Sequence, residues 1–220
     1  MYARFLASFC LLCVSISTGR SETIAPATSE LEVYVKGDDA SSPDVIWAMQ
    51  REMAPLMENA GFHVSWHTSS DPASSGAAQH LIMVELRGSC SAVSMLANLP
   101  LPHSLVLASS AVADGRILPF SWVDCAALNR FLAPVISGQT PAQQSYIYGR
   151  SMGRLLAHEF YHVLAQTEDH TSGGIAKARF STTDLLSDHL DFEPVALSRV
   201  RPAALEATAE QSSDAPVAGR

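Results

Sequence analysis

"TPAQQSYIYGRSMGRLLAHEFYHVLAQT", residues 140–167, is the stretch around which the rest of this chain is organised. Thr140, Pro141 and Gln143 form a capping-box pattern with proline at the first helical position, so a helix begins here. No helix-breaking residue interrupts the following apolar positions strongly enough to stop it. The pattern therefore predicts a long helix that runs to about Thr167.

Two glycines lie inside this predicted helix. Gly149 and Gly153 are four residues apart and share one face. Each costs about 1 kcal/mol of helix stability relative to alanine, which favours close packing of that face against a sheet or another helix. The alternative is that a long helix simply tolerates them. Arg150 and Arg154 are expected on the solvated face.

The same helix carries an H-E-x-x-H segment, formed by His158, Glu159 and His162. A spacing of four places both imidazoles on one face, where two nitrogens can bind a single zinc ion. Glu159 then lies beside the metal and is suited to act as a general base in peptide hydrolysis. The alternative is a helix face with two hydrogen-bonded surface histidines and no metal.

A catalytic zinc site needs three protein ligands and an open position for water. Three candidates follow the helix at the point where the chain should turn: Glu168, Asp169 and His170. His189 is a more distant candidate.

These residues resemble those of the zincin peptidases, and the order of the predicted elements resembles the metzincin catalytic domain. The metzincin motif is H-E-x-x-H-x-x-G-x-x-H, in which the last histidine is the third ligand. His158, Glu159 and His162 match as ligand, base and ligand. The chain departs from the motif twice, with Ala165 in place of the glycine and Glu168 in place of the third histidine.

We infer from these departures that the helix is slightly longer than in metzincins and turns after Thr167. His170 is then the predicted third ligand, with Glu168 as the second choice, Asp169 as the third, and His189 among the remainder.

The floor of the predicted site also departs from the metzincin pattern. Metzincins have a methionine in a turn beneath the metal, whereas Met152 is the last methionine here. Ile175, in "GIAKARFS" (174–181), is the residue we expect under the imidazoles instead. The chain also resembles a group of exported bacterial proteins in which H-E-x-Y-H precedes a threonine, a histidine and a G-I/V-A-K stretch, a resemblance that implies no particular substrate.

Strand and helix patterns alternate upstream of this site. Five strands are predicted by alternation and turn residues, at 31–37, 62–68, 80–88 and on either side of the turn "ADGR" at 113–116. Ser42 and Pro43 begin a helix that ends at Gly61 and is kinked or split at Pro55. Together these elements predict an α+β, zincin-like fold with a mixed twisted sheet.

A second helix is predicted between the last strand and Thr140. Ser121 is the expected N-cap, with Asp124 as its box partner, and the helix runs to about Ala133.

Length and composition indicate one domain. The 220 residues carry a formal net charge of -8, without any basic cluster, which argues against nucleic acid as a partner. Residues 1–19 match a signal peptide and 20–29 a linker; residues 30–195 form the predicted catalytic domain and 196–220 a disordered tail. No stable membrane span is expected after the signal is removed.

Removal of the signal leaves two cysteines, Cys90 and Cys125. In an oxidising compartment such a pair most simply forms one disulfide; the alternative is two buried thiols.

The remaining candidates have plainer explanations. Surface or hydrogen-bonded roles are expected for four histidines: His63, His67, His80 and His103. Tyr148 and Tyr161 are expected in the core, although a tyrosine can stabilise an oxyanion.

The sequence thus predicts an exported, periplasmic or secreted, peptidase that binds one Zn²⁺ through His158, His162 and His170. A zinc-activated water attacks the peptide bond, and Glu159 is the base. The alternatives are a catalytically inactive zincin-like binding or adaptor protein, with or without the metal.

Overall fold

The computed structural model describes residues 28–37, 41–72, 80–92 and 105–201. The predicted signal at 1–19, most of the predicted linker, His103 and residues 202–220 lie outside the described residues. One hydrophobic cluster extends from Leu31 to Val200 along the described chain.

A five-stranded, mostly parallel sheet is the centre of this mixed α+β fold, with the strand order β2-β1-β3-β5-β4. The strands are β1 (Ser29–Lys36), β2 (Phe62–Thr68), β3 (His80–Arg87), β4 (Ala108–Ala113) and β5 (Arg116–Asp124). β1, β2, β3 and β5 run parallel to one another, whereas β4 pairs with β5 in the antiparallel sense. Among the described residues, β4 is therefore the antiparallel edge strand of this sheet.

Four helices precede the helical residues 194–201 in the described chain: α1 (Pro43–Ala60), α2 (Cys125–Ile136), α3 (Pro141–Ala165) and α4 (Thr182–Leu186). The capping box of α3 is present, since the Thr140 hydroxyl accepts from the Gln143 backbone and the Gln143 side chain accepts from the Thr140 backbone. α1 ends at Gly61 in the left-handed conformation, at φ 95°. Of the two predicted alternatives at Pro55, a kink or a split, the split is wrong, because one helix runs from Pro43 to Ala60. Proline has no N–H to donate to the backbone carbonyl four residues earlier in the helix. Because Pro55 is exposed, water can donate to that carbonyl instead.

The predicted start of α2 at Ser121 is also wrong. β5 continues to Asp124, and Ser121 is a fully buried strand residue whose hydroxyl lies 2.9 Å from the hydroxyl of Ser110. Asp124 is the N-cap itself, because its side chain accepts a hydrogen bond from the Ala127 backbone at 2.8 Å. The helix then runs to Ile136, beyond the predicted end.

The two glycines of α3 confirm the prediction of close packing, and the partner is α1. A Cβ on Gly153 would lie 2.7 Å from the backbone oxygen of Met49, and one on Gly149 would lie 2.7 Å from the Cβ of Ala48. Backbone cannot move aside as a flexible side chain can, so these two positions allow the helices to touch.

The prediction that Arg150 and Arg154 lie on a solvated face is wrong. Arg154 is 1% exposed, and both guanidinium groups pair with Glu52 of α1. Arg154 also donates to the carbonyl oxygens of Asp184 and Leu185 in α4. A buried charge requires such partners, and their presence makes this face of α3 a polar joint between three helices.

The predicted tail begins too early. Residues 194–201 are helical, and Ala196, Leu197 and Val200 on this helix are buried. These three apolar residues, at i, i+1 and i+4, form a stripe that packs on the core. The folded domain therefore extends at least to residue 201 and does not end at 195.

A disulfide joins Cys90, after β3, to Cys125, at the first turn of α2. This confirms the predicted pairing. Within the described residues, no helix is long and apolar enough to cross a membrane.

Candidate metal centre

His158, His162 and His170 lie together, as predicted. One ligand atom from each imidazole lies within 4.8 Å of the others. His158 and His162 lie on the last two turns of α3 and are 8% and 9% exposed, whereas His170 is exposed on the loop that follows the helix. These three side chains could hold a metal ion.

The end of α3 brings His170 into this position. The helix ends at Ala165, two residues earlier than predicted, and Gln166 adopts the left-handed conformation at φ 47°. The side-chain amide of Gln166 stabilises the turn, because its Nε2 donates to the carbonyl oxygens of Ile117 and Val163. The chain therefore turns at Gln166, and His170 rather than Glu168 lies in the group with the two helical histidines.

Backbone carbonyls fix both helical imidazoles. Nδ1 of His158 lies 2.8 Å from the Ile175 oxygen, and Nδ1 of His162 lies 2.6 Å from the Thr167 oxygen. A carbonyl oxygen can only accept, so both Nδ1 atoms carry the proton and donate. In the neutral imidazole, both Nε2 atoms then present lone pairs, the form in which histidine binds metals.

The two Nε2 atoms face each other at a separation of 3.0 Å. Two lone pairs this close repel unless a cation or a proton lies between them. Burial lowers the pKa of His158 to about 4 and also lowers the pKa of His162, which disfavours a shared proton at neutral pH. Two nitrogens on one tetrahedral zinc lie about 3.3 Å apart, close to the observed separation. These residues therefore fit a metal ion.

Glu159 lies beside the three histidines and is 6% exposed. Burial raises the pKa of its carboxyl to about 7, while a hydrogen bond from Ser110 at 2.8 Å works in the opposite direction. Glu159 is outside the group of three histidines that could hold a metal ion, and it lines the cleft beside them.

An open cleft of about 770 Å³ exposes this centre. Glu159, Glu168 and the three histidines contribute its polar lining. Its apolar wall includes residues from the approach to β4, from α2, from α3 and from the segment after the histidine loop: Leu107, Phe131, Leu155 and Phe180.

The other predicted site residues are placed differently. Glu168 lines the cleft and is exposed; neither it nor Asp169 or His189 belongs to the metal-binding group. Ile175 is buried as expected, although its contact with the site is its backbone carbonyl, which accepts from His158.

The two tyrosines serve the core. Tyr148 donates to the carbonyl of Cys125, and the hydroxyl of Tyr161 accepts from Arg199. Sequence reasoning missed Ser110, because a serine in a strand carries no local signal that it will contact a residue 49 positions away.

No protein-family model matches this chain, and no curated protein matches it either.

Proposed function

We propose that this protein is an exported zinc metallopeptidase of the zincin type. The observation that carries the proposal is the 3.0 Å separation of the Nε2 atoms of His158 and His162, with His170 as the third member and a buried carboxylate beside them. Three imidazoles are a ligand set that suits zinc and leaves a fourth coordination position open.

A bound zinc would polarise the scissile carbonyl and make water more acidic. Glu159 supplies the base: its carboxylate takes a proton from the attacking water and passes it to the leaving amine. Burial supports this role, because it raises the pKa of Glu159 and so opposes the lowering that a bound dication would cause.

The edge strand β4 supports a peptide as the substrate. An edge strand has unpaired N–H and C=O groups on its outer side, and an extended peptide can pair with them. The residues that lead into β4, 105–107, and the first residues of β4, Ala108, Ser109 and Ser110, line the same cleft as His158 and Glu159. The apolar wall formed with Phe131 and Leu155 can receive an apolar side chain of the bound peptide.

Export is supported by the disulfide, since such bonds persist mainly in oxidising compartments. The signal-like pattern of residues 1–19 supports it independently.

The decisive experiment compares wild type with Glu159→Gln. We expect about one zinc per chain in both, and a fall in kcat/KM of roughly 100- to 10,000-fold in the variant, measured on a peptide library. Glu168→Gln is the matched control in the same cleft and should retain zinc and activity. Equal cleavage by wild type and Glu159→Gln would exclude the mechanism. Zinc binding without cleavage in wild type would favour the binding or adaptor alternative.

The pH profile provides a second test. Glu159 must be ionised to act as a base, so kcat/KM should rise with pH as this carboxyl loses its proton. A nearby dication lowers the pKa of a carboxyl. We therefore expect the acid limb at or below about pH 7, and a limb above that value would contradict the assignment of the base.

A further inference from the structure

A single hydroxyl group holds the Glu159 carboxylate. Ser110 Oγ lies 2.8 Å from Glu159 Oε2. Within the described part of the chain, this is the one hydrogen bond that the carboxylate accepts.

The direction of the hydrogen bonds follows from the chemistry of the groups. Ser110 has one hydroxyl proton. Its two partners on Glu159, the carboxylate oxygen at 2.8 Å and the backbone oxygen at 3.3 Å, can only accept, so Ser110 donates to Glu159. The Ser121 hydroxyl, 2.9 Å from that of Ser110, must then be the donor of the second bond. The result is a directed chain from Ser121 through Ser110 to Glu159.

Both serines are placed by the sheet. Ser110 in β4 is directly opposite Ser121 in β5, and Ser121 is fully buried. The register of the two strands shifts between Ser110 and Val112. Such an irregularity re-aims side chains, and bulges of this kind are common beside active sites. Here Ser110 is directed across to α3.

We propose that Ser110 is a positioning residue for Glu159. Its hydroxyl holds Oε2 and leaves Oε1 free to receive the proton of the attacking water. This inference rests on the proposed role of Glu159 as the base. A glutamate has three rotatable side-chain bonds, and without this hydrogen bond the carboxylate has no fixed orientation in the cleft.

The test uses zinc-loaded protein from the full chain, with Ser110→Ala compared with wild type. We expect kcat to fall about 100-fold, the cost of a misplaced catalytic group, with KM and zinc content unchanged. In crystal structures, the Glu159 carboxylate should take a single orientation in wild type and more than one in Ser110→Ala.

The matched control is Ser65→Ala. Ser65 in β2 also donates to a glutamate, Glu30, at 3.3 Å on the exposed side of the sheet. The Ser65→Ala variant should leave kcat and the orientation of the Glu159 carboxylate unchanged. If Ser110→Ala fails to fold, Ser110→Cys keeps a side chain of similar shape with a weaker donor, and the same loss of kcat and orientation is expected in smaller measure.

A single, unchanged carboxylate orientation in the Ser110 variants, or a kcat equal to that of wild type, would overturn the inference. A wild type that binds zinc but cleaves no peptide would overturn the proposed function instead. The comparison of Glu159 orientations would then still decide whether Ser110 positions the carboxylate.

Discussion

The helix side and the loop side of the metal centre are built differently. On the helix side, His158 and His162 are buried, and each donates through Nδ1 to a backbone carbonyl. On the loop side, His170 is exposed, and its described contacts are ring contacts with the other two imidazoles. The helix therefore presents a pre-oriented pair of ligands, and the loop presents a third that can adjust its position.

The loop is nevertheless anchored beyond His170. Thr171 donates its backbone N–H to Ala176 at 2.8 Å and forms a bridge with Lys177. The Ile175 N–H donates to the carbonyl of Asp191 at 2.9 Å. The carbonyl of Ile175 accepts from Nδ1 of His158. The loop therefore orients one histidine of the helix and also carries His170, a candidate ligand of its own.

The largest expected effect is on zinc binding, and it distinguishes the helix side of the metal centre from the loop side. His162→Ala should abolish zinc binding, because it removes one of the two pre-oriented ligands. His170→Ala should retain a weaker site, because the fixed pair remains. Zinc per chain after dialysis, and competition with a chelator, measure the difference. We expect the His162 variant to lose more than the roughly 10- to 100-fold that loss of an outer-shell partner costs. Equal losses would show that the loop ligand is as pre-oriented as the helical pair.

Two glycine variants, Gly174→Ala on the loop side and Gly153→Ala on the helix side, should both lower stability, but only the first should also weaken zinc binding. A Cβ on Gly174, whose φ is +66°, would meet the backbone oxygen of Asp191 and lie 3.1 Å from Glu193 Cγ. Gly174→Ala should therefore destabilise the fold by about 2–3 kcal/mol and also weaken zinc binding through the displaced loop. Gly115→Ala is its control, since Gly115 has a similar φ of +71° with nothing within 4 Å of the added atom.

On the helix side, Gly153→Ala should lower the free energy of unfolding by about 1–2 kcal/mol without loss of zinc affinity. The added methyl group gains about 1 kcal/mol of helix propensity but forces α3 away from α1, which costs more. Gly138→Ala is the control, because open space surrounds that position. Denaturant titration and chelator competition measure the two quantities. A loss of zinc affinity in Gly153→Ala would show that the α1–α3 contact also sets the geometry of the histidines.

The smallest expected effect concerns the ion pair that joins the loop to α4. Lys177 pairs with Asp184, and this hydrogen bond, followed by those from Ser181, lowers the pKa of Asp184 from 3.8 to about 2. A carboxyl with a depressed pKa in the folded state stabilises the fold above its unfolded pKa, and this stabilisation is lost as the pH falls through the folded value.

Asp184→Asn should therefore cost about 1 kcal/mol or less at neutral pH. The difference in Tm between wild type and variant should be constant from pH 7 to about 5 and should shrink as the pH falls from about 4 to about 2. A difference that grew on acidification would contradict the assigned direction of the pKa shift.

Several elements of the fold could be predicted because their signals are local. The capping box of α3 spans Thr140 to Gln143, and the spacing of His158 and His162 is one helical turn. The order of strands and helices, the left-handed glycine after α1 and the Cys90–Cys125 pairing also followed from short patterns or from a simple count. Such features depend on backbone sterics and periodicity, which neighbouring residues determine.

Predictions that failed concern contacts between distant segments. The burial of Arg154 depends on Glu52 of another helix, 102 residues away. Ser121 suits an N-cap by type, yet it lies within β5 because its strand neighbours and Ser110 provide its partners.

The sequence by itself determined the helix, its two histidines and the adjacent glutamate, because helical geometry requires nothing beyond the helix. Only the tertiary structure decided that His170 rather than Glu168 joins them and that Ser110 binds Glu159. The loop conformation after Gln166 and the packing of β4 against α3 bring these groups together, and both depend on long-range packing rather than on local backbone preference.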